Sequence, residues 1–256
     1  MNPSPAVISA SANVAVIGAG RLGGVLAGAL RHAGLAVQGP LRRGEEIPNV
    51  DIALLCVPDE AIPDAARMAR PGARVIGHVS GATTLDDVDF SLHPLQTFTG
   101  AETPDVFHGI GCAIDGRTDA ALAVAAELVE VLGARAFRVD DAHRAAYHAA
   151  ASLASNLLLT VLGAAEQVAG AAGLHADEAR TLLAPLVRQT VANWESSGGR
   201  AALTGPIARG DEQTVERQRA AIAASRPELL PLFDELREST RVLAGRPSLR
   251  TAVDAA

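Results

Sequence analysis

The sequence contains no lysine, so all 22 of its basic residues are arginines. This absence excludes a Schiff-base lysine and any step in which an ammonium group gives or takes a proton. Aromatic residues are also scarce, at 3% of the chain, and the formal net charge is −7. Nucleic-acid binding needs a basic face for the phosphates and aromatic rings for the bases. We therefore expect no nucleic-acid partner.

Cysteine is also rare: Cys56 and Cys112 are the only two, and their spacing is neither that of a metal site nor that of a redox pair. The N-terminus lacks the basic segment and the apolar core of a signal peptide. The longest apolar stretch is interrupted by His148, Asn156 and Glu166, which does not suit a bilayer. We predict a cytoplasmic protein with no metal and no membrane partner.

That apolar stretch, residues 143–165, is mostly alanine and leucine, the composition of a helix packed among other helices. One face carries His148, Ser152 and Ser155, with Asn156 at the edge. At about 100° per residue, the first three fall within an arc of roughly 60°. Because buried polar groups without partners are costly, the stripe is expected to face something polar.

The first part of the chain alternates short apolar segments with helical ones. Strands are predicted at 14–17, 35–40, 51–57, 73–79, 90–93, 109–115 and 134–139. Helices are predicted at 21–34, 59–69 and 119–133, with Asp59 as an N-cap. This alternation predicts a dinucleotide-binding α/β domain with a mostly parallel, doubly wound sheet.

Strand signals stop after residue 140, where the composition shifts. Helices are predicted at 141–172, 176–197, 211–224 and 227–244, with Asp211 capping the third. We place the domain boundary at Asp140–Asp141. The domains are then residues 1–140, beginning with a loose leader over 1–12, an all-helical substrate and dimerisation domain over 141–245, and a mobile tail over 246–256. A homodimer through the helical domain is expected.

The segment VAVIGAGRLGG has glycines in the spacing G-x-G-x-x-G, after a strand and at the start of a helix. This context is typical of dinucleotide sites, where the helix start binds the pyrophosphate. The predicted cofactor contacts are Gly18, Ala19, Gly20, Arg21, Leu22 and Gly23, with Val57, Pro58 and Ser80 at later strand ends. The alternatives are a glycine-rich turn without a ligand and, at Ser80-Gly81, a simple turn.

The end of the second strand predicts which nucleotide binds. In NAD-binding proteins a carboxylate there binds the ribose 2′-hydroxyl. Here Arg42 and Arg43 occupy that place, and Glu45 and Glu46 come later. Two guanidiniums suit a 2′-phosphate, so NADP(H) is favoured over NAD(H). The alternative is a solvated surface pair.

The glycine loop together with SGATTL, HPLQTF, YHAAASLASN and LTGPIARGD resembles a bacterial family described as Rossmann-like with a C-terminal domain of unknown function, DUF2520. The resemblance extends from about residue 13 to 240. The wider group includes ketopantoate reductase, pyrroline-5-carboxylate reductase, prephenate dehydrogenase and the β-hydroxyacid dehydrogenases. In that group the first long helix of an all-helical domain borders the cleft opposite the nicotinamide. The resemblance therefore implies that the polar stripe faces that cleft.

The resemblance also implies roles for individual residues. Ketopantoate reductases and β-hydroxyacid dehydrogenases carry the motif K-x-x-x-N on that helix. This chain has S-x-x-x-N, with Ser152 in place of the lysine and Asn156 in place of the asparagine. His148, one turn earlier, is the predicted replacement proton carrier. Prephenate dehydrogenases have a His-Pro segment beside the active site, similar to SLHPLQTF, which implies that His93 and Gln96 reach the substrate. Alternatively, His148 is a core histidine, the serines are small packing residues, and His93 ends a strand.

Arg209 lies in the irregular segment LTGPIARGDEQ. We predict that it binds a substrate carboxylate or a cofactor phosphate, the alternative being a structural pair with Asp211. Tyr147, His143 and Trp194 are interpreted as packing or rim residues.

Together these features predict an NADP(H)-dependent oxidoreductase that reduces a C=O or C=N group of a small anionic molecule, with ketopantoate as the best single substrate. The rival hypothesis is a sensor or scaffold that binds NADP(H) without turnover, which the missing lysine favours.

Overall fold

The computed structural model describes residues 12–248. The chain divides into two compact units, the first ending at Ser155 and the second beginning at Asn156. All but the last residue of the expected leader at 1–12 lies outside the described residues, and so does most of the expected tail at 246–256.

All seven predicted strands are present in the first unit. They are β1 (Asn13–Ile17), β2 (Ala36–Leu41), β3 (Val50–Leu55), β4 (Ala73–His78), β5 (Phe90–Pro94), β6 (Gly111–Gly116) and β7 (Arg135–Arg138). They form one sheet in the order β2-β1-β3-β4-β5-β6-β7. Strands β1 to β5 are parallel, and β6 and β7 run antiparallel to them. The predicted mostly parallel, doubly wound sheet is confirmed.

Each side of the sheet has its own apolar core, because successive side chains of a strand point to opposite faces. In β1, Val14 and Val16 pack with the helices α1 (Arg21–His32) and α3 (Asp119–Val131). Ala15 and Ile17 pack on the other side with α2 (Ile62–Ala69). A short 3₁₀ turn, Asp59–Ala61, precedes α2, and no side chain caps it, so the predicted N-cap at Asp59 is wrong.

The α2 side of the sheet is polar at β5 and β6. Ser91 and Asp115 point there, since their neighbours Phe90, Leu92 and Ile114 pack on the opposite side. The helix α4 (Arg144–Ala154) supplies the partner of these polar groups. The first unit therefore extends beyond the boundary expected at Asp140–Asp141, because the start of α4 is bound to the sheet.

Arg144 makes that attachment with a side chain that is almost fully buried, at 3% relative exposure. Its guanidinium donates to Ser91 Oγ at 2.7 Å and to Asp141 Oδ1 at 2.5 Å. It also lies 3.9 Å from Asp115 Oδ2, and Asp115 in turn accepts from Arg138. A buried charge is tolerated when it is paired and hydrogen-bonded in this way.

The single helix predicted over 141–172 is wrong in one respect: it is two helices. α4 ends at Ala154, Ser155 has non-helical backbone angles (φ −129°, ψ −82°), and α5 begins at Asn156. Ser152 and Asn156 therefore do not share one continuous helical face, because the helix breaks at Ser155 between them.

The second unit is helical. It contains α5 (Asn156–Ala171), α6 (Ala176–Ala202), the short α7 (Pro206–Arg209), α8 (Glu212–Ser225) and α9 (Leu230–Leu243). A left-handed glycine, Gly198 (φ 77°), interrupts α6 near its end. Asp211 caps α8 by accepting from the Thr214 backbone N–H at 3.0 Å, as predicted. Ion pairs join Arg180 to Glu166 and Arg219 to Asp234.

The helical segment Arg144–Ala171 is long and apolar. Its mean hydropathy reaches 1.4, and by length and composition alone it could cross a membrane. None of that apolar window is buried within the chain. Leu159 is 68% exposed, and on α6 Leu186 and Trp194 are 63% and 59% exposed. These exposed apolar side chains belong to α5 and α6 of the second unit.

The buried ion pair makes a stability prediction. Arg144→Met keeps most of the side-chain volume but leaves the Asp115 carboxylate buried beside only the exposed Arg138. We expect the free energy of unfolding to fall by about 3–5 kcal/mol, measured by urea denaturation. The control is Arg74→Met, which removes an exposed pair with Asp51 and should change stability little. Equal losses in the two variants would contradict the assigned role of Arg144.

Candidate functional site

The carboxyl ends of the parallel strands β1 to β5 meet at one edge of the sheet, which we call the carboxyl edge. It comprises the glycine loop at 18–23, residues 42–43, 56–58 and 79–81, and residues 93–100, which are the end of β5 and the segment after it. In open α/β sheets, ligands bind at this edge. The last segment returns to the start of α1, since a Cβ on Gly100 would lie 3.5 Å from Arg21 Cα.

Two glycines of the loop are required by the chain itself. Gly18 has φ 115°, and a Cβ there would lie 2.2 Å from the Cys56 carbonyl oxygen. A Cβ on Gly23 would lie 1.9 Å from the Gly18 carbonyl oxygen. No side chain fits either position, so these glycines let the end of β3, the loop and α1 approach one another closely.

Gly20 differs from both. Its backbone (φ −77°, ψ −172°) is open to any residue, and a Cβ there would meet nothing within 4 Å. Gly20 is also the N-cap of α1, where no side chain caps the helix and the first turn has no acidic residue. The first N–H groups of a helix lack intrahelical partners and attract anions. This space and these donors fit the pyrophosphate of a dinucleotide.

Arg42 and Arg43 lie close to this loop. The Gly18 backbone N–H donates to the carbonyl of Leu41 at 2.8 Å, and Leu41 ends β2 directly before the two arginines. The Arg42 backbone N–H donates to Glu45 at 2.8 Å. Within residues 12–248, neither guanidinium has an ion pair, and both side chains are exposed. Val57 lies on the other side of the loop, with its N 3.2 Å from a Cβ on Gly18.

Two histidines meet at Gly81, beyond the end of β4. A Cβ on Gly81 would lie 2.9 Å from His93 Nε2 and 3.0 Å from His148 Cδ2. The two imidazoles are edge to face, with centroids 6.2 Å apart. His93 is half-buried and His148 is exposed, so His148 is not a core histidine. Burial, and then the neighbouring His148, lower the pKa of His93 to about 4.

A third histidine, His78, has both ring nitrogens occupied. Nδ1 accepts from the Ser80 backbone N–H at 3.2 Å, which assigns the proton to Nε2, and Nε2 donates to the Thr84 carbonyl at 3.1 Å. Burial lowers its pKa. The Ser80 hydroxyl accepts from the backbone N–H groups of Ala82 and Thr83. Both side chains therefore shape the turn that presents Gly81.

The other predicted site residues are dispersed. Ser152 lies one turn after His148 on α4 and is half-buried. Gln96 is at the carboxyl edge, where its amide oxygen accepts from the Thr97 backbone N–H at 2.8 Å. Asn156 begins α5, and Arg209 ends α7 in the second unit. For Asn156 and Arg209 the substrate-binding role stays a prediction.

Sequence reasoning missed Tyr147, which was interpreted as a packing or rim residue. Its hydroxyl lies 2.7 Å from His93 Nδ1, and its ring packs edge on against His93 and Phe137. It also missed Arg144, whose burial sets the position of α4. The one usable signal was spacing: residues three and four after Arg144 share its helical face, and they are Tyr147 and His148.

Residues 110–240 match the protein family described as "Domain of unknown function (DUF2520)". No curated protein matches the chain by sequence.

Solved structures with the same fold span almost the whole chain. Protein TM1727 from Thermotoga maritima is 22% identical with a TM-score of 0.77, covering 91% of this chain and 99% of that one. A Bacteroides fragilis protein described as a candidate NADP oxidoreductase is 21% identical with a TM-score of 0.76, covering 91% and 98%. The 1-pyrroline-5-carboxylate reductase of Streptococcus pyogenes is 13% identical with a TM-score of 0.60, covering 90% and 100%. These likenesses establish the fold.

The glycine loop allows a matched pair of tests. Gly20→Val should abolish dinucleotide binding, because the new side chain fills the space for the pyrophosphate, while the less favourable N-cap should lower the free energy of unfolding by no more than about 1 kcal/mol. Gly23→Ala should instead lower the free energy of unfolding by about 1–3 kcal/mol, because its Cβ overlaps the Gly18 carbonyl. Calorimetric titration with NADPH and urea denaturation measure the two effects. Unchanged binding by Gly20→Val would mean that the loop is only a turn.

Proposed function

The chain belongs to the DUF2520 family, and we propose that it is an NADP(H)-dependent oxidoreductase acting on a C=O or C=N group of a small anionic metabolite. The observation that carries the proposal is Gly20: nothing in the described chain requires a glycine there, whereas a bound pyrophosphate does. The uncapped start of α1 and the histidine pair at Gly81 lie at the same carboxyl edge.

For the cofactor we propose NADP(H) rather than NAD(H). Arg42 and Arg43 follow the residue that binds the Gly18 backbone, so they stand where the ribose of a dinucleotide is recognised. Arginine binds phosphate with a planar fork of donors. The name of the Bacteroides fragilis relative, a candidate NADP oxidoreductase, supports this choice.

When bound, the nicotinamide supplies or accepts a hydride. The remaining task of the protein is to move a proton and stabilise charge at the oxygen or nitrogen of the reacting group. We assign the proton to His148, because it is exposed and borders Gly81, and because an imidazole can both donate and accept a proton. Ser152 lies one turn further on the same helix and is half-buried.

For the substrate we propose a small molecule that carries a carbonyl or imine beside an anionic group. Ketopantoate is the first compound to test, because of the resemblance to ketopantoate reductases. Cyclic imines are the second, because pyrroline-5-carboxylate reductases share the fold. Gln96 is the proposed substrate contact on the segment after β5.

The absence of a lysine at Ser152 favours one rival, a protein that binds NADP(H) as a sensor without turnover. The histidine pair at Gly81 counts against it, since a sensor has no need of a proton carrier there.

We also propose that the protein is a homodimer through its helical unit. The exposed leucines of α5 and α6 and the exposed Trp194 support this, since apolar faces of such extent pack against another molecule.

Replacing both Arg42 and Arg43 by alanine should remove the preference for NADPH. Each charge-assisted bond to the 2′-phosphate contributes about 1.5–3 kcal/mol, so wild type should bind NADPH at least about tenfold more tightly than NADH. The control replaces Arg67 and Arg74 by alanine, which removes the same number of positive charges from another part of the surface. Equal titration curves of wild type with the two cofactors would contradict the assignment.

The function itself is tested by NADPH oxidation with ketopantoate, other 2-keto acids and cyclic imines. His148→Ala should lower kcat by roughly 10²–10⁴ with little change in NADPH affinity. His143→Ala is the matched control, because this exposed histidine pairs with Asp140 at the start of α4. NADPH binding without turnover of any compound favours the sensor. Equal kcat values for the two variants would exclude His148 as the proton carrier.

A further inference from the structure

Tyr147 and His93 form a contact between two elements that are far apart in sequence. The phenol oxygen lies 2.7 Å from His93 Nδ1, with ring centroids 5.6 Å apart and the planes almost perpendicular. Tyr147 projects from α4 and His93 from β5. A hydrogen bond of this length between a hydroxyl and an imidazole fixes the orientation of the ring.

The partners of the two groups decide which one donates. Within residues 12–248, His93 Nδ1 is the one hydrogen-bond partner of the Tyr147 hydroxyl. Burial raises the pKa of Tyr147 to about 12, so the phenol keeps its proton at neutral pH. If the phenol donates to Nδ1, the phenol proton has a partner and the imidazole proton resides on Nε2; if Nδ1 donated instead, the phenol proton would have no partner within the described residues.

We propose that Tyr147 is a positioning residue that holds His93 as the neutral tautomer protonated on Nε2, which directs a hydrogen-bond donor at the space beside Gly81. This inference rests on the proposed reductase function. There, His93 donates to the oxygen or nitrogen on which charge develops, and His148 carries the proton. A neutral imidazole that acts as a donor is a known solution to carbonyl polarisation.

Gly81 provides the space that this arrangement needs. A Cβ at that position would lie 2.8 Å from His93 Cε1, 2.9 Å from Nε2 and 3.0 Å from His148 Cδ2. The Nε2 edge of His93 and the Cδ2 edge of His148 therefore both border Gly81. Within the described residues, Nε2 has no hydrogen-bond partner, so its N–H is available to a ligand.

The surroundings of His93 keep it neutral. Burial lowers its pKa to about 4, followed by His148 on α4. Of the other charged or titratable groups that face it, Asp59 before α2 raises the pKa, and His78 on β4 and Arg144 on α4 lower it. Donation from Tyr147 adds to this effect, because it occupies the lone pair that a second proton would need. Loss of the hydroxyl should therefore raise the pKa of His93.

The test is Tyr147→Phe, which keeps both ring contacts and removes the hydrogen bond. Nitrogen chemical shifts of isotope-labelled histidines report which ring nitrogen is protonated, and His93→Leu assigns the signal. In wild type we expect a protonated Nε2 and an unprotonated Nδ1. In Tyr147→Phe we expect a mixture of tautomers and a pKa of His93 that is higher by about 0.5–1. Phe137→Leu, which disturbs the other ring packed on Tyr147, should leave both readouts at their wild-type values.

A protonated Nδ1 in wild type, or an unchanged tautomer in Tyr147→Phe, would overturn the proposal. The chemical shifts are measured without substrate. If no compound is turned over, the proposed reductase function fails, but the tautomer assignment is still tested. Where turnover is found, Tyr147→Phe as a single substitution should lower kcat. Added to His93→Leu, it should lower kcat no further than His93→Leu alone. An equal loss in both backgrounds would show that Tyr147 acts without His93, which also overturns the proposal.

Discussion

The candidate site depends on the hydrogen bonds and ion pairs of one buried guanidinium, that of Arg144. It is 3% exposed and binds Ser91 of β5 as well as Asp141, with Asp115 of β6 at 3.9 Å. A charge in such a place needs those partners, so α4 is held on the polar side of the sheet. Tyr147 and His148 lie on the same helical face one turn later, and this brings them to His93. The site thus follows from an ion pair that is outside it.

The glycines of the carboxyl edge are of two kinds: some stand where no side chain fits, and one stands where a side chain would meet no other atom. Gly18, Gly23 and Gly81 stand where a side chain would overlap a carbonyl oxygen or an imidazole, so the chain itself requires them. Gly20 stands where nothing in the described chain approaches, at the uncapped start of α1. The first three therefore position the elements of the carboxyl edge, and the fourth leaves space that a phosphate group would occupy.

Three histidines at this edge differ because their surroundings differ. His78 is buried with both nitrogens bonded to the turn at 80–84, so it has a structural role. His93 is half-buried, is held neutral by desolvation and bonds to Tyr147. His148 is exposed beside them. One residue type thus stands in three different surroundings at this edge, and what distinguishes the three histidines is burial and hydrogen-bond partners rather than the imidazole itself.

The sequence by itself determined the seven strands, the helices between them and the glycine loop, because apolar periodicity and glycine spacing are local properties of the chain. Only the tertiary structure decided that the helix breaks at Ser155 and that the first unit continues through α4. It also decided that Tyr147 meets His93, 54 residues earlier in the chain. The spacing of Arg144, Tyr147 and His148 predicts that they share one helical face, but it does not predict that this face packs against β5, because a buried arginine has the same local sequence pattern as an exposed one.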